Sequence, residues 1–129
     1  MNTCDILKDS KTIAVLGISS NQTRTSRGIA RYLEIANYKV VGVNPGKPEI
    51  EGMEVYANLR DIPFEIDIVD VFRRSEDIPQ IIDDVLAIKP KVLWLQLGIK
   101  NDEAVLPCIE NGITVIQNKC IKVEHSMCF

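Results

Sequence analysis

Nowhere in the sequence do apolar residues run for the roughly 18 positions that a membrane-spanning helix needs. The opening MNTCDILKDSKT carries acids and lysines where a secretory signal needs an apolar run. No membrane partner is expected, and the expected location is the cytoplasm. An excess of positive charge is missing too: Lys and Arg number 15 against 18 Asp and Glu, a net charge of -3. A nucleic-acid partner is therefore not expected, since it would call for a basic stripe. Cysteine is sparse, and Cys4, Cys108, Cys120 and Cys128 contain no CxxC pair. That spacing speaks against a zinc site and a disulfide scaffold, so all four are expected to be reduced thiols. Internal repeats, low-complexity tracts and interdomain linkers are also absent. Residues 1–129 are expected to form a single domain, long enough to bury roughly two-thirds of the unfolded chain's surface, with no room for a second catalytic domain.

Aliphatic residues, by contrast, are plentiful and periodic. Short runs rich in Val and Ile predict strands at 12–17, 39–44, 66–72, 91–97 and 113–117. Between them SRGIARYLEIAN, SEDIPQIIDDVLAI and NDEAVLPCIENG have helical spacing, with Ile29, Leu33 and Ala36 on one face of the first. Ser26, Ser75 and Asn101 mark the helix starts, and Asn111-Gly112 marks the end of the last. The Gly- and Pro-rich stretch 45–63 reads as a loop with a short strand near 53–56 and a helical turn near 58–61. Strands apolar on both faces suit a parallel sheet covered on each side. The expectation is an α/β fold, a doubly wound Rossmann-like parallel sheet of about five strands in the order 3-2-1-4-5.

Ligands of such sheets sit beyond the carboxyl ends of the strands where the order reverses, here between strands one and four. The segment after strand one, GISSNQTRTS, has Gly17 at the strand end but no further glycine before Gly28. The G-x-G-x-x-G pyrophosphate turn is absent. In its place stands a longer polar loop entering a helix N-terminus, where free N–H groups and the helix dipole attract phosphate and Arg24 and Arg27 add charge. A solvated loop with Ser26 as a cap is the competing reading of the same residues. After strand two, VNPGK offers Lys47 where an NAD site carries an acid. That exchange favours a nucleotide with an extra ribose phosphate, either NADP or coenzyme A (CoA). After strand three, one of Arg73 and Arg74 is expected to face the ligand and the other to pair with Glu76 and Asp77.

Taken in order, IAVLGIS, GIARYL, VVGVNP, VDVFRR, LWLQLGI and NKCIKVEH resemble the small Rossmann-like CoA-binding proteins over nearly the whole chain. At greater distance they are similar to the CoA-binding domain of the succinyl-CoA synthetase α subunit. The resemblance implies a grip on the nucleotide end of CoA. Gly17, Ile18, Ser19 and Ser20 match the phosphate-contacting loop, joined by Arg24 and Ser26 from the residues' own chemistry. Asn44, Pro45 and Lys47 match the turn beside the ribose phosphate, Val71, Phe72 and Arg73 the segment alongside the adenine, and Leu95, Gln96 and Leu97 the pantetheine path. Two departures stand out: Ser20 and Asn21 replace glycines of the synthetase loop, and Leu97 replaces its acid. The synthetase's phosphorylated histidine comes from a second domain, so ligase chemistry is not expected of this chain.

Catalytic constellations are thin. Asp67 and Asp70 fall on different strand faces, and each is expected to be satisfied by neighbours. Cys120 and His125 would stand about 140° apart on a helix, given roughly 100° per residue, which is awkward for a thiolate pair. A mixed disulfide between Cys120 and the CoA thiol is a milder alternative. Trp94 and Leu95 read as core, Tyr32 and Tyr38 as packing residues. The sequence thus points to a non-catalytic protein holding CoA or acyl-CoA, a small-molecule nucleotide ligand, with an NADP-dependent oxidoreductase as the rival. Its apolar C-terminal segment leaves a homodimer open.

Overall fold

A computed structural model describes residues 2–129. Its elements run α1 (Thr3–Asp9), β1 (Thr12–Leu16), α2 (Thr25–Ile35), β2 (Lys39–Val43), β3 (Val55–Tyr56), a 3-10 turn (Leu59–Asp61) and β4 (Ile68–Val71). A 3-10 helix (Ser75–Ile81) then leads into α3 (Ile82–Ile88), β5 (Val92–Leu95), α4 (Leu106–Glu110), β6 (Thr114–Ile116) and α5 (Ile121–Cys128). Every strand pair is parallel, in the order β3-β2-β1-β4-β5-β6. The doubly wound α/β sheet is as expected, with one strand more.

That extra strand changes which neighbours meet. The two half-buried residues of β3 take the edge place, where one side of the strand stays unpaired. The strand at 68–71, all four residues buried, takes a central place beside β1. Strand order therefore reverses between β1 and β4, and the strand at 92–95 lies one place further out.

Alternation along each strand sorts the core into two layers. Ala14, Leu16, Val69, Val71, Leu93 and Leu95 face the side covered by the 3-10 segments, α3 and α4. Ile13, Val15, Ile68, Val92 and Trp94 face the side covered by α1, α2 and α5. On α2, Ile29, Ala30 and Leu33 supply the buried stripe. Pro79 lacks an N–H, and the helix expected from Ser75 is accordingly 3-10 up to Ile81 and α-helical only beyond it. The segment opened by Asn101 turns before it coils: Asn101 Oδ1 accepts from the Ala104 N–H, and α4 itself begins at Leu106. None of these helices is long and apolar enough to cross a membrane.

Both terminal helices escaped the periodicity reading, being short. Asn2 caps α1 by accepting the Asp5 N–H at 2.9 Å, and Ile6 and Leu7 anchor it. The first residue of α5, Ile121, is fully buried, and its N–H donates to Gln96 Oε1 at 3.0 Å. Further along α5, His125 Nδ1 meets the Tyr32 hydroxyl at 2.8 Å, with the Tyr38 and Phe129 rings beside it. Burial lowers the His125 pKa.

Because α1 and α5 lie side by side, Cys4 and Cys128 come within 5.5 Å (Cα to Cα) and form a disulfide across 124 positions. The expectation of four reduced thiols is corrected for this pair, whose meeting is set by tertiary packing and leaves no mark in short-range spacing. Cys108 and Cys120 are free thiols.

Candidate functional site

A cleft of about 690 Å³ opens over the carboxyl ends of β1, β4 and β5. Gly17 begins it. Its backbone has φ +94°, and an added Cβ would fall 2.7 Å from the Phe72 carbonyl oxygen. Only glycine lets β1 leave the sheet this close to β4.

The loop after Gly17 is braced from within. Ser19 N–H donates to Ser26 Oγ at 3.2 Å, Asn21 N–H to Ser19 Oγ at 3.1 Å, and Thr23 to Asn21 Oδ1 through both N–H and hydroxyl. Arg27 clips the outside by donating to the Ser20 carbonyl at 2.9 Å. From β2, Asn44 Nδ2 donates to the Ile18 carbonyl at 2.8 Å, while Asn44 Oδ1 accepts from Gly46 N–H. Ser26 is thus a buried brace inside the first turn of α2, whereas the cap position is Arg24, which makes no side-chain cap bond. The N–H groups of Thr25 and Ser26 point out of that turn without intrahelical partners. The Ser19 and Ser26 hydroxyl protons stay available, because both oxygens act only as acceptors in the loop.

Charge completes the cleft. Arg24 and Arg73 line it, and neither has a carboxylate within ion-pair distance among the described residues. Arg74 lines it as well but is engaged, its Nε 3.1 Å from both Asp77 and Glu76. Asp77 first, then Glu76, raises the Arg74 pKa. The opposite wall, Leu97 to Ile99, is held by Gly98 N–H donating to Asn118 Oδ1 at 2.7 Å, Lys100 N–H to Ser75 Oγ, and Asn101 Nδ2 to the Ser75 carbonyl.

Of the residues singled out by sequence, Gly17, Ile18, Ser19, Arg24, Ser26, Asn44, Phe72, Arg73 and Leu97 gather in this cleft. Others do not. Ser20 lies on the outer side of the loop, and Pro45 lines a smaller neighbouring concavity. Lys47, in a left-handed turn at φ +45°, borders a third concavity along 47–55. Val71 and Leu95 are wholly buried in the sheet, and Gln96 is spent on the head of α5. Thr25, Arg74, Ser75, Glu76, Gly98 and Ile99 join the lining. Thr25 lies within the polar GISSNQTRTS loop, Arg74 and Glu76 in the expected ion pair, Ser75 at an expected helix start, and Gly98 and Ile99 within LWLQLGI.

The two aspartates part company. Burial pushes the Asp67 carboxyl up, but N–H donors from Lys11 and Thr12, at 2.7 and 3.2 Å, and the Lys91 ammonium at 3.4 Å together hold it below its ordinary value. Asp70 is wholly buried between Val15 of β1 and Trp94 of β5, and neither carboxylate oxygen has a hydrogen-bond partner. The expectation that it is satisfied is corrected: β4 turns it into the apolar layer, and burial holds its pKa well above normal. Cys120, half-buried at the head of α5, is not among the cleft-lining residues, and the ring nitrogen His125 offers is turned to Tyr32.

Comparison with known proteins places the chain in a family. The chain is 41% identical over 123 residues to YneT of Bacillus subtilis (strain 168), covering 95% of this chain and 91% of that one. The solved structure of cell-free ID.343 from Thermus thermophilus, 37% identical, superposes with a TM-score of 0.95 over all of both chains. A dinucleotide-forming acetyl-coenzyme A synthetase from Ca. Korarchaeum cryptofilum shares the fold at 24% identity and a TM-score of 0.74, over 89% of this chain and 27% of its own. Residues 11–126 match the model of the CoA binding domain, and the chain belongs to that family.

Proposed function

We propose that the chain binds CoA or an acyl-CoA by its nucleotide end in the cleft at the β1/β4 reversal, and holds or presents it in the cytoplasm without reacting on it. One observation carries this reading. The unpartnered N–H groups heading α2 and the unpaired guanidinium groups of Arg24 and Arg73 converge on one cleft, over a glycine that lets the backbone come close. Such a donor set takes a pyrophosphate. The end of β2, Asn44 to Lys47, carries no acid to accept from the ribose hydroxyls of NAD, which favours a ligand whose ribose carries phosphate. Exposed Leu97 on the far wall suits the apolar part of a pantetheine arm.

Calorimetric titration with CoA, NADP and NAD tests the reading. CoA is expected to bind tightest; tighter NADP binding would replace it with the oxidoreductase alternative. Lys47 stands outside the cleft, so its role is confined to a ribose phosphate projecting over the Asn44–Lys47 turn. Lys47→Ala is expected to bind CoA and 3′-dephospho-CoA alike, and an undiminished preference for CoA would strip Lys47 of that role.

A further inference from the structure

The cleft wall at 97–99 is fastened to the head of α5. Gly98 N–H donates to Asn118 Oδ1 at 2.7 Å, and Asn118 N–H donates back to the Ile99 carbonyl at 3.1 Å. Just before the wall, Lys119 N–H donates to the Leu95 carbonyl at 3.4 Å, while the Lys119 carbonyl accepts from Trp94 Nε1 at 2.8 Å. With the bond from Ile121 N–H to Gln96 Oε1, residues 94–99 and 118–121 form one hydrogen-bonded unit. Whatever steadies α5 therefore steadies the wall.

The eight residues of α5 are fewer than the roughly 12 to 15 that an isolated helix needs in water. Its order comes from three holds: buried Ile121 at the head, His125 against Tyr32 in the middle, and the Cys4–Cys128 bond at the tail. Val123 and Met127 face outward and add none. The tail is the hold that chemistry can release. Cys4, on α1, is exposed to an attacking thiolate. A disulfide in the cytoplasm, the location proposed above, is characteristically a redox-sensing one.

We propose that Cys4 and Cys128 form a redox switch for the cleft. The disulfide form pins α5 and keeps the wall ordered; the dithiol form frees the tail of α5, loosens the wall and weakens the hold on the nucleotide. The reductant is a dithiol. Its thiolate attacks Cys4 Sγ and displaces Cys128 as a thiolate, and its second sulfur then displaces Cys4 from the mixed disulfide. The pair gains two electrons and the two thiol protons, and the reductant leaves as a disulfide. This rests on the nucleotide-binding reading above and adds control to it.

S-methyl-CoA has no thiol to exchange with the pair. It is titrated calorimetrically into the oxidised chain and the dithiothreitol-reduced chain, at a temperature where circular dichroism finds both folded. The oxidised chain is expected to bind about tenfold more tightly. Cys4→Ser/Cys128→Ser should match the reduced chain with or without reductant, which separates the pair from Cys108 and Cys120. By linkage, saturating ligand should lower the reduction potential of the pair by about 30 mV, the two-electron equivalent of tenfold, read against a dithiothreitol redox buffer. Asn118 stands at φ +59°, which glycine also adopts, so Asn118→Gly removes the amide and keeps the turn. That variant is expected to bind weakly and alike in both states. Equal binding by the oxidised and reduced chains, or a difference that survives in Asn118→Gly, would overturn the inference and leave the nucleotide reading in place. Absence of binding in both states would overturn the nucleotide reading, and this inference with it.

Discussion

Asp70 is the residue most at odds with its surroundings. In the unfolded chain its carboxyl ionises near the ordinary value of about 3.9. In the folded chain burial keeps it protonated well above that. Between those two pKa values the native state holds a proton that the unfolded state has released. The stability linked to that proton is complete below about pH 3.9 and is lost as pH rises through the folded pKa. Asp70→Asn fills the same space and cannot ionise. Its denaturant midpoint is therefore expected to fall less between about pH 5 and pH 8 than that of the unaltered chain, measured in a buffer series. Parallel pH profiles would show that the carboxyl does not titrate as its burial demands. Gly17 makes the opposite point, since its conformation and its contact with Phe72 agree with what its place at a strand end suggests.

At the level of elements, the site depends on a loop held from a neighbouring strand. Asn44, just past β2, uses its amide nitrogen on the Ile18 carbonyl and its amide oxygen on Gly46. Asn44→Ala is expected to cost about 1 kcal/mol of stability, the usual worth of a hydrogen bond. It should weaken CoA binding more than it weakens folding, because the freed loop must be ordered anew by the ligand; calorimetry beside denaturant melts checks both. An equal affinity in the variant would show the brace to be incidental. Strands, crossovers and the β1 loop were legible because apolar runs and strand ends are local patterns. Ser26 was legible as important but not in its role, since its partner Ser19 lies across a turn. Lys47 borders a neighbouring concavity and not the cleft, in a left-handed turn at φ +45° that a lysine does not advertise in sequence. The short strand near 53–56 was legible, but its place at the sheet edge, which leaves 68–71 beside β1, was not, because pairing partners are chosen by tertiary packing.

Over the whole molecule, α1 and α5 join residues that the sequence holds 124 positions apart. A crosslink closing so long a loop stabilises mainly by restricting the unfolded chain, by up to about 5 kcal/mol on the chain-entropy view. Cys128→Ser, or reduction of the unaltered chain, is expected to lower the thermal midpoint by several degrees. The reduced chain and the variant should melt together; a midpoint indifferent to reductant would mean that the helices hold without the bond. The link also reroutes mechanical load. A pull applied at the two ends of the chain reaches Cys4 and Cys128 and passes straight across their bond, so the sheet and its ligand cleft sit in a slack loop. Only when that bond is reduced does tension enter the parallel strands.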